Sequence, residues 1–260
     1  MRKAIHRVLR PLGVDLTPYP VPDWLWLRQS LVVLFSVLQI NCVLDVGAHF
    51  GEYAEFLREI GYDEEIISFE PVSENYSRLS ARAAGARKWR TLRCALGEEN
   101  RIKTINVAQC TDFSSFLAPS RYSAEAFEGK GRVARVEEVE MKRLDAVLDQ
   151  AAEGIPNARI FLKMDTQGWD LPVLLGASGV LDRIVAIQSE ISVKHIYEGM
   201  TDYTDSIAAM NAMGFDLVAM VPVSRESGLR VIEFDCLMVR RDLDLSPQPP
   251  MQRGGRLARA

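Results

Sequence analysis

The stretch Asp45-Val46-Gly47-Ala48-His49-Phe50-Gly51 closes an apolar run that begins at Val43, and Glu70 ends the next such run, Ile66-Ile67-Ser68-Phe69. An apolar run ending in Asp, then glycines, then a helical pattern predicts a parallel strand turning tightly into a helix, with bare backbone that a ligand can approach closely. A carboxylate at the end of the neighbouring strand can accept both hydroxyls of a ribose, which is the distance logic of the dinucleotide fingerprint. The chemistry expected of Asp45, Gly47, Ala48, His49, Gly51, Glu70 and Pro71 is therefore the holding of a nucleoside cofactor. The glycine spacing is not the dehydrogenase one. Asp45-x-Gly47-x-His49-x-Gly51 lacks the third glycine and bare middle position of G-x-G-x-x-G, so room for a pyrophosphate is not evident. That disfavours NAD and favours S-adenosylmethionine.

Within the turn, His49 can take a left-handed backbone nearly as Asn does. Its ring is either a reach toward the cofactor's carboxylate or amine, or an ordinary turn histidine. Ala95 and Leu96 end a third apolar run and are read as the apolar wall of an adenine ring. Asp165 closes the run Ile160–Met164, and Glu190 follows the run Ile184–Ser189. In open α/β sheets ligands bind at the carboxyl ends of strands, and adjacent strands lie about 4.8 Å apart, so the two carboxylates could face one cavity. Three roles fit them: a base for an acceptor hydroxyl, shared ligands for a divalent cation such as magnesium, or a polar wall bonded to backbone amides. A third metal ligand is not identifiable. His195 is the other base nearby in sequence, with an ordinary pKa suited to proton removal near neutrality, and it ranks below Asp165. Trp169, Tyr197 and Tyr203 either line an acceptor pocket or pack the core and rim. Ser114 and Ser115, in a polar segment, are candidates to contact cofactor or acceptor.

Positioning these residues requires a sheet. Apolar strand-like runs alternate with helical patterns, which predicts an α/β sheet with helices on both faces. Tyr53, Phe56, Leu57 and Ile60 recur at helical spacing up to Gly61, and Tyr76, Leu79 and Ala83 stripe a second helix closed near Gly85. Residues 89–96 read as a third strand ended by Gly97. Residues 102–107 and 133–141 read as extra strands around a polar loop, 111–131, long for a compact domain and therefore a candidate lid. Met141, Leu144, Val147 and Leu148 are read as a helix, Leu171 to Leu175 as part of the next, and Ile207, Met210 and Met213 as the stripe of the last. Phe215 to Val221 and Leu229 to Val239, around Ser227-Gly228, predict a closing hairpin whose final strand runs antiparallel to the others.

Composition sets the outer bounds. With 260 residues, 48% hydrophobic and 25% charged, one principal domain is expected. It is assigned to 41–241, after an N-terminal helical extension 1–40 and before a tail 242–260 that lacks apolar periodicity and reads as disordered. A net charge of −4 and a pI near 5.6 give no overall basic field for nucleic acid. Cys42, Cys94, Cys110 and Cys236 show no paired spacing and the three histidines are scattered, which argues against zinc and for reduced thiols in the cytoplasm. The apolar stretch Leu31 to Leu38 is too short to cross a bilayer, so no transmembrane helix is expected, and no signal peptide. Met1 to Leu12 carries Ile5, Val8, Leu9 and Leu12 on one stripe and Arg2, Lys3, Arg7 and Arg10 elsewhere. Such a basic amphipathic helix either docks on its parent domain or lies on an anionic membrane surface.

Six pieces in order carry a resemblance: Asp45-Val46-Gly47-Ala48 with Gly51, Phe69-Glu70-Pro71, Ala95-Leu96-Gly97, Asp112-Phe113-Ser114-Ser115-Phe116, Lys163-Met164-Asp165-Thr166-Gln167-Gly168-Trp169-Asp170, and Glu190 with Tyr197-Glu198-Gly199. From about Asn41 to Arg240 the chain resembles the FkbM family of S-adenosylmethionine-dependent methyltransferases. The resemblance implies a seven-stranded class I methyltransferase sheet, Rossmann-like and mostly parallel, that methylates a hydroxyl on a sugar, glycan or polyketide acceptor. Two departures stand out. The family commonly has Asn at His49 and often Glu at Asp170. For such chemistry the cofactor supplies the electrophile, and the protein supplies alignment and a group to take the proton. The alternatives are an NAD-type oxidoreductase on a similar sheet, disfavoured by the missing G-x-G-x-x-G, and a binding module without turnover, disfavoured by the pair Asp165 and Glu190. The acceptor, the oligomeric state and any metal are not legible.

Overall fold

The structure is a computed structural model that describes residues 22–243. The basic segment 1–12 and the tail from 246 therefore lie outside the described residues. The chain runs α1 (Asp23–Leu38), β1 (Cys42–Val46), α2 (Glu52–Glu59), β2 (Glu65–Phe69), α3 (Ser73–Ala83), β3 (Trp89–Leu92), β4 (Ala95–Leu96), β5 (Arg101–Ala108), α4 (Arg121–Ala126), β6 (Val133–Lys142), α5 (Leu144–Ala151), β7 (Ile160–Met164), α6 (Asp170–Leu175), β8 (Ile184–Ser192), α7 (Tyr203–Ala212), β9 (Phe215–Glu226) and β10 (Arg230–Arg240). Short 3-10 turns at Thr111–Phe113 and Ser178–Arg183 complete it.

Seven strands form one sheet in the order β3-β2-β1-β7-β8-β10-β9. Neighbours from β3 through β8 pair in parallel, and β10 is antiparallel to both β8 and β9. Every residue of β1 and β7 is buried, as expected for central strands covered on both faces. Alternation along β1 divides the core. Leu44 points with Leu148, Val173 and Met210 into the layer under α5, α6 and α7, while Val43 points with Leu31, Phe35 and Leu57 into the layer under α1 and α2. The closing hairpin turns through Ser227, Gly228 and Leu229, with Ser227 and Gly228 both left-handed at φ of 50° and 74°, as a type I′-like turn demands.

Two assignments need correction. Residues 89–96 are not one strand: β3 ends at Leu92, and β4 belongs to a second, three-stranded sheet of order β4-β6-β5. Leu92 gives its carbonyl to the Glu70 amide at 3.2 Å, and Ala95 and Leu96 then pair with Met141 and Lys142. Met141 likewise closes β6 rather than opening a helix; it alternates with Val139, both buried, so its spacing from Leu144 is coincidental. Between β5 and β6, residues 111–131 carry a 3-10 turn and α4, tied down by bridges Asn106–Ser115 and Pro119–Tyr197. No described helix is long and apolar enough to cross a membrane.

Candidate active site

A cavity of about 360 Å³ opens over the carboxyl ends of β1, β2, β7 and β8. Its floor depends on Gly47, whose φ is +77° and whose added Cβ would stand 2.0 Å from the Asp165 carbonyl oxygen. Only a bare backbone lets the first turn lie against the end of β7. His49 is left-handed at φ 49°, as the turn requires. Its amide donates to Glu70 Oε2 at 2.9 Å, and its ring Nε2 meets Thr111 Oγ1 at 2.8 Å, so the histidine joins the turn after β1 to the segment above it.

Glu70 is 4% exposed and lines the cavity. Its Oε1 accepts from the Val72 amide at 2.9 Å and from Asn75 Nδ2 at 3.3 Å. Burial pushes its carboxyl up to about 7, against the pull of those donors. Pro71, Ala95 and Leu96 continue the wall, and Ser114 joins from the loop. Trp169 and Phe116 also line it, their ring centroids 5.3 Å apart, with Lys103 Nζ 4.7 Å from the Trp169 ring.

Asp45, Ala48 and Gly51 do not line the cavity. Asp45, fully buried, supports the turn from beneath: Lys163 Nζ lies 3.1 Å from Oδ1, and Ser68 Oγ donates to Oδ2 at 3.1 Å. The pair follows from register, since Asp45 and Lys163 face each other on β1 and β7. Desolvation works against the Lys163 charge, but Asp45 and Asp165 outweigh it and raise its pKa. Gly51 opens α2 at φ +95°, where an added Cβ would strike the Trp89 ring at 2.7 Å.

At the other end stand Asp165 and Glu190. Asp165 Oδ2 lies 3.5 Å from Lys163 Nζ, with its side chain 36% exposed. Burial, reinforced by Asp165, holds the Glu190 carboxyl well above the usual range. Sequence reasoning missed the group between them: Gln167 Nε2 donates to Asp165 Oδ1 at 3.0 Å and to Glu190 Oε2 at 3.1 Å. It also missed Glu233, 7% exposed, which β10 brings to the same cavity, where Ser224 Oγ donates to it at 2.6 Å. The alternation of charged residues at Glu233 and Asp235 on the last strand was its visible signal.

His195 does not join this group. Its side chain is 53% exposed, and Nε2 lies 3.6 Å from Asp202 on the surface. Tyr203 packs against the core and Tyr197 is buried behind the cavity wall, so of the three aromatic candidates only Trp169 lines it. Among the described residues no cluster of three His, Cys, Asp or Glu could hold a metal ion.

Residues 45–217 match the family model described as the methyltransferase FkbM domain. The chain belongs to the FkbM methyltransferase family. The seven-stranded order of this FkbM protein, with its antiparallel closing strand, is that of class I S-adenosylmethionine-dependent methyltransferases. No curated protein matches the chain. Among solved structures, it is similar to Aeropyrum pernix fibrillarin with natively bound S-adenosyl-L-methionine, at 10% identity and TM-score 0.44 over 76% of this chain and 66% of that one. It is also similar to magnesium protoporphyrin IX methyltransferase from Synechocystis, at 10% identity and TM-score 0.43 over 92% and 94% of the two chains.

Proposed function

We propose that this FkbM protein transfers a methyl group from S-adenosylmethionine to a hydroxyl of a sugar, glycan or polyketide-type acceptor, with Asp165 taking the proton. The observation that carries the reading is one cavity with a nucleoside-holding end, Gly47 and Glu70, and a carboxylate end, Asp165 and Glu190. The residues fit the cofactor. Gly47 leaves backbone bare where a side chain would clash, and the Glu70 carboxylate ends β2 where ribose hydroxyls can donate to it.

When bound, S-adenosylmethionine supplies a methyl group made electrophilic by a sulfonium. The chain's own residues do the rest. Trp169 and Phe116 exclude water, while Asp165, at the end of β7, accepts the acceptor's proton as its oxygen becomes a nucleophile. Among the described residues no Lys or Arg lines the cavity, while Glu70, Asp112, Asp165, Glu190 and Glu233 do, so a phosphate- or carboxylate-bearing acceptor meets mostly carboxyls there. An uncharged, hydroxyl-rich acceptor suits such walls better.

The test is methyl transfer from isotope-labelled S-adenosylmethionine to a panel of methyl glycosides, oligosaccharides and hydroxylated macrolactones, read by mass spectrometry. A methyl ether on one class is expected, and Asp165→Asn should cut turnover about a hundredfold while leaving cofactor affinity within twofold. Near-normal turnover of that variant removes Asp165 as the base.

A further inference from the structure

Gln167 sits in the connection from β7 to α6 with φ of 55°, and Gly168 follows at 86°. Two successive left-handed residues reverse the chain after Thr166, so the Gln167 side chain returns over the strand it has just left. Its side-chain amide and its backbone carbonyl both bond to the site. One amide hydrogen goes to Asp165 Oδ1 and the other to Glu190 Oε2. The side-chain oxygen faces the Tyr197 hydroxyl at 2.7 Å, and the backbone carbonyl accepts from Ser115 Oγ at 2.7 Å. Tyr197 is 1% exposed and Ser115 2%, so both partners are themselves fixed by packing.

The orientation of the amide follows from its surroundings. Reversed, its oxygen rather than its NH2 would face Asp165 and Glu190, and the Asp165 carboxylate would lose that donor. Where both are ionised, the amide donor between them offsets the repulsion of Asp165 and Glu190 on adjacent strands.

We propose that Gln167 is the positioning residue of the methyl-transfer site: its amide clamps Asp165 and Glu190 side by side, and Tyr197 and Ser115 lock the clamp. With Oδ1 held by Gln167 and Oδ2 drawn toward Lys163, the plane of the Asp165 carboxylate is set, and each oxygen keeps a lone pair for the acceptor. The proposal rests on Asp165 as the base, so its test includes a measurement that needs no acceptor.

Three variants separate the parts: Gln167→Ala removes the clamp, Gln167→Glu keeps its length without the donor, and Tyr197→Phe removes the lock. Carbon-13 titration of the Glu190 carboxyl is followed with S-adenosylhomocysteine bound, beside calorimetric affinity for S-adenosylhomocysteine and the turnover–pH profile on the best acceptor of the panel. In Gln167→Ala the Glu190 midpoint should rise by about one pH unit, since a donor to its charged form is gone. Turnover should fall ten- to a hundredfold, its acid limb should move to higher pH, and affinity for S-adenosylhomocysteine should stay within twofold. Gln167→Glu should lose at least as much, and Tyr197→Phe less, in the same direction. An unmoved Glu190 titration in both Gln167 variants overturns the proposal. So does lost turnover accompanied by lost S-adenosylhomocysteine affinity and an unshifted pH profile, the signature of general damage. If Asp165→Asn turns over normally while the Gln167 variants still move Glu190, the base reading falls and the clamp stands.

Discussion

At the scale of single residues, the charged groups divide into those that face the cavity and those that hold it from below. Glu70 faces it, and burial raises its carboxyl to about 7, so on the proposed reading cofactor binding is coupled to its ionisation. Ribose hydroxyls donate to the ionised carboxyl, so binding of S-adenosylhomocysteine near pH 7 should release a fraction of a proton. Calorimetry in two buffers of different ionisation enthalpy would show it, and the release should vanish in Glu70→Gln, which should also bind about 1.5–3 kcal/mol more weakly. Lys163 works from below. Lys163→Met leaves the Asp45 carboxylate buried without a countercharge and should cost about 3–5 kcal/mol in chemical denaturation; a cost under about 1 kcal/mol would contradict that pairing. The sequence made Asp165 and Glu190 legible because each ends an apolar run. It hid Lys163, since pairing with Asp45 depends on strand register, and it hid Gln167, whose role depends on two left-handed residues and on a tyrosine thirty positions later. Asp45 was read as a cofactor ligand because the motif cannot say which side of the turn its side chain takes.

At the scale of elements, continuous apolar runs marked the central strands correctly, and the Ser227-Gly228 turn marked the hairpin. The break between β3 and β4 was invisible, because Arg93 and Cys94 interrupt the pattern too briefly to announce a change of sheet. The 111–131 segment poses a further question of motion. It is anchored through the Thr111 hydroxyl on His49, the Phe113 carbonyl near Tyr197 and the Ser120 hydroxyl, which donates to the His195 carbonyl at 2.7 Å. We expect it to act as a lid: its amides should exchange with solvent faster in the free chain than with S-adenosylhomocysteine bound. Equal protection in both states would make it a fixed insertion. Thr111→Val, which removes the link to His49, should speed exchange at 111–116 without altering the core strands.

At the scale of the whole molecule, the carboxyls around the cavity give the chain an unusual response to pH. Burial raises Glu70 to about 7 and Asp235 to about 6, and raises Glu190, Glu233 and Asp170 as well. The folded chain therefore holds protons that the unfolded chain releases, so stability falls as pH climbs from the ordinary carboxyl range through these folded values. Glu70 alone accounts for about 3 kcal/mol over that window. Asp145 and Asp202 are shifted the other way, and their contribution is lost only in stronger acid. The cofactor-free protein should melt several degrees higher at pH 5.5 than at pH 8; a melting temperature that rises with pH would contradict the burial of these groups. The order of strands has a consequence in time. Cys42 on β1 pairs with Ile160 on β7, 118 residues further along. At about 5–20 residues per second, a ribosome takes roughly 6–24 s to make the intervening chain. For that interval the edge of β1 that will carry β7 stays open, and an unpaired, fully buried strand edge is where a nascent chain is most exposed to wrong pairing.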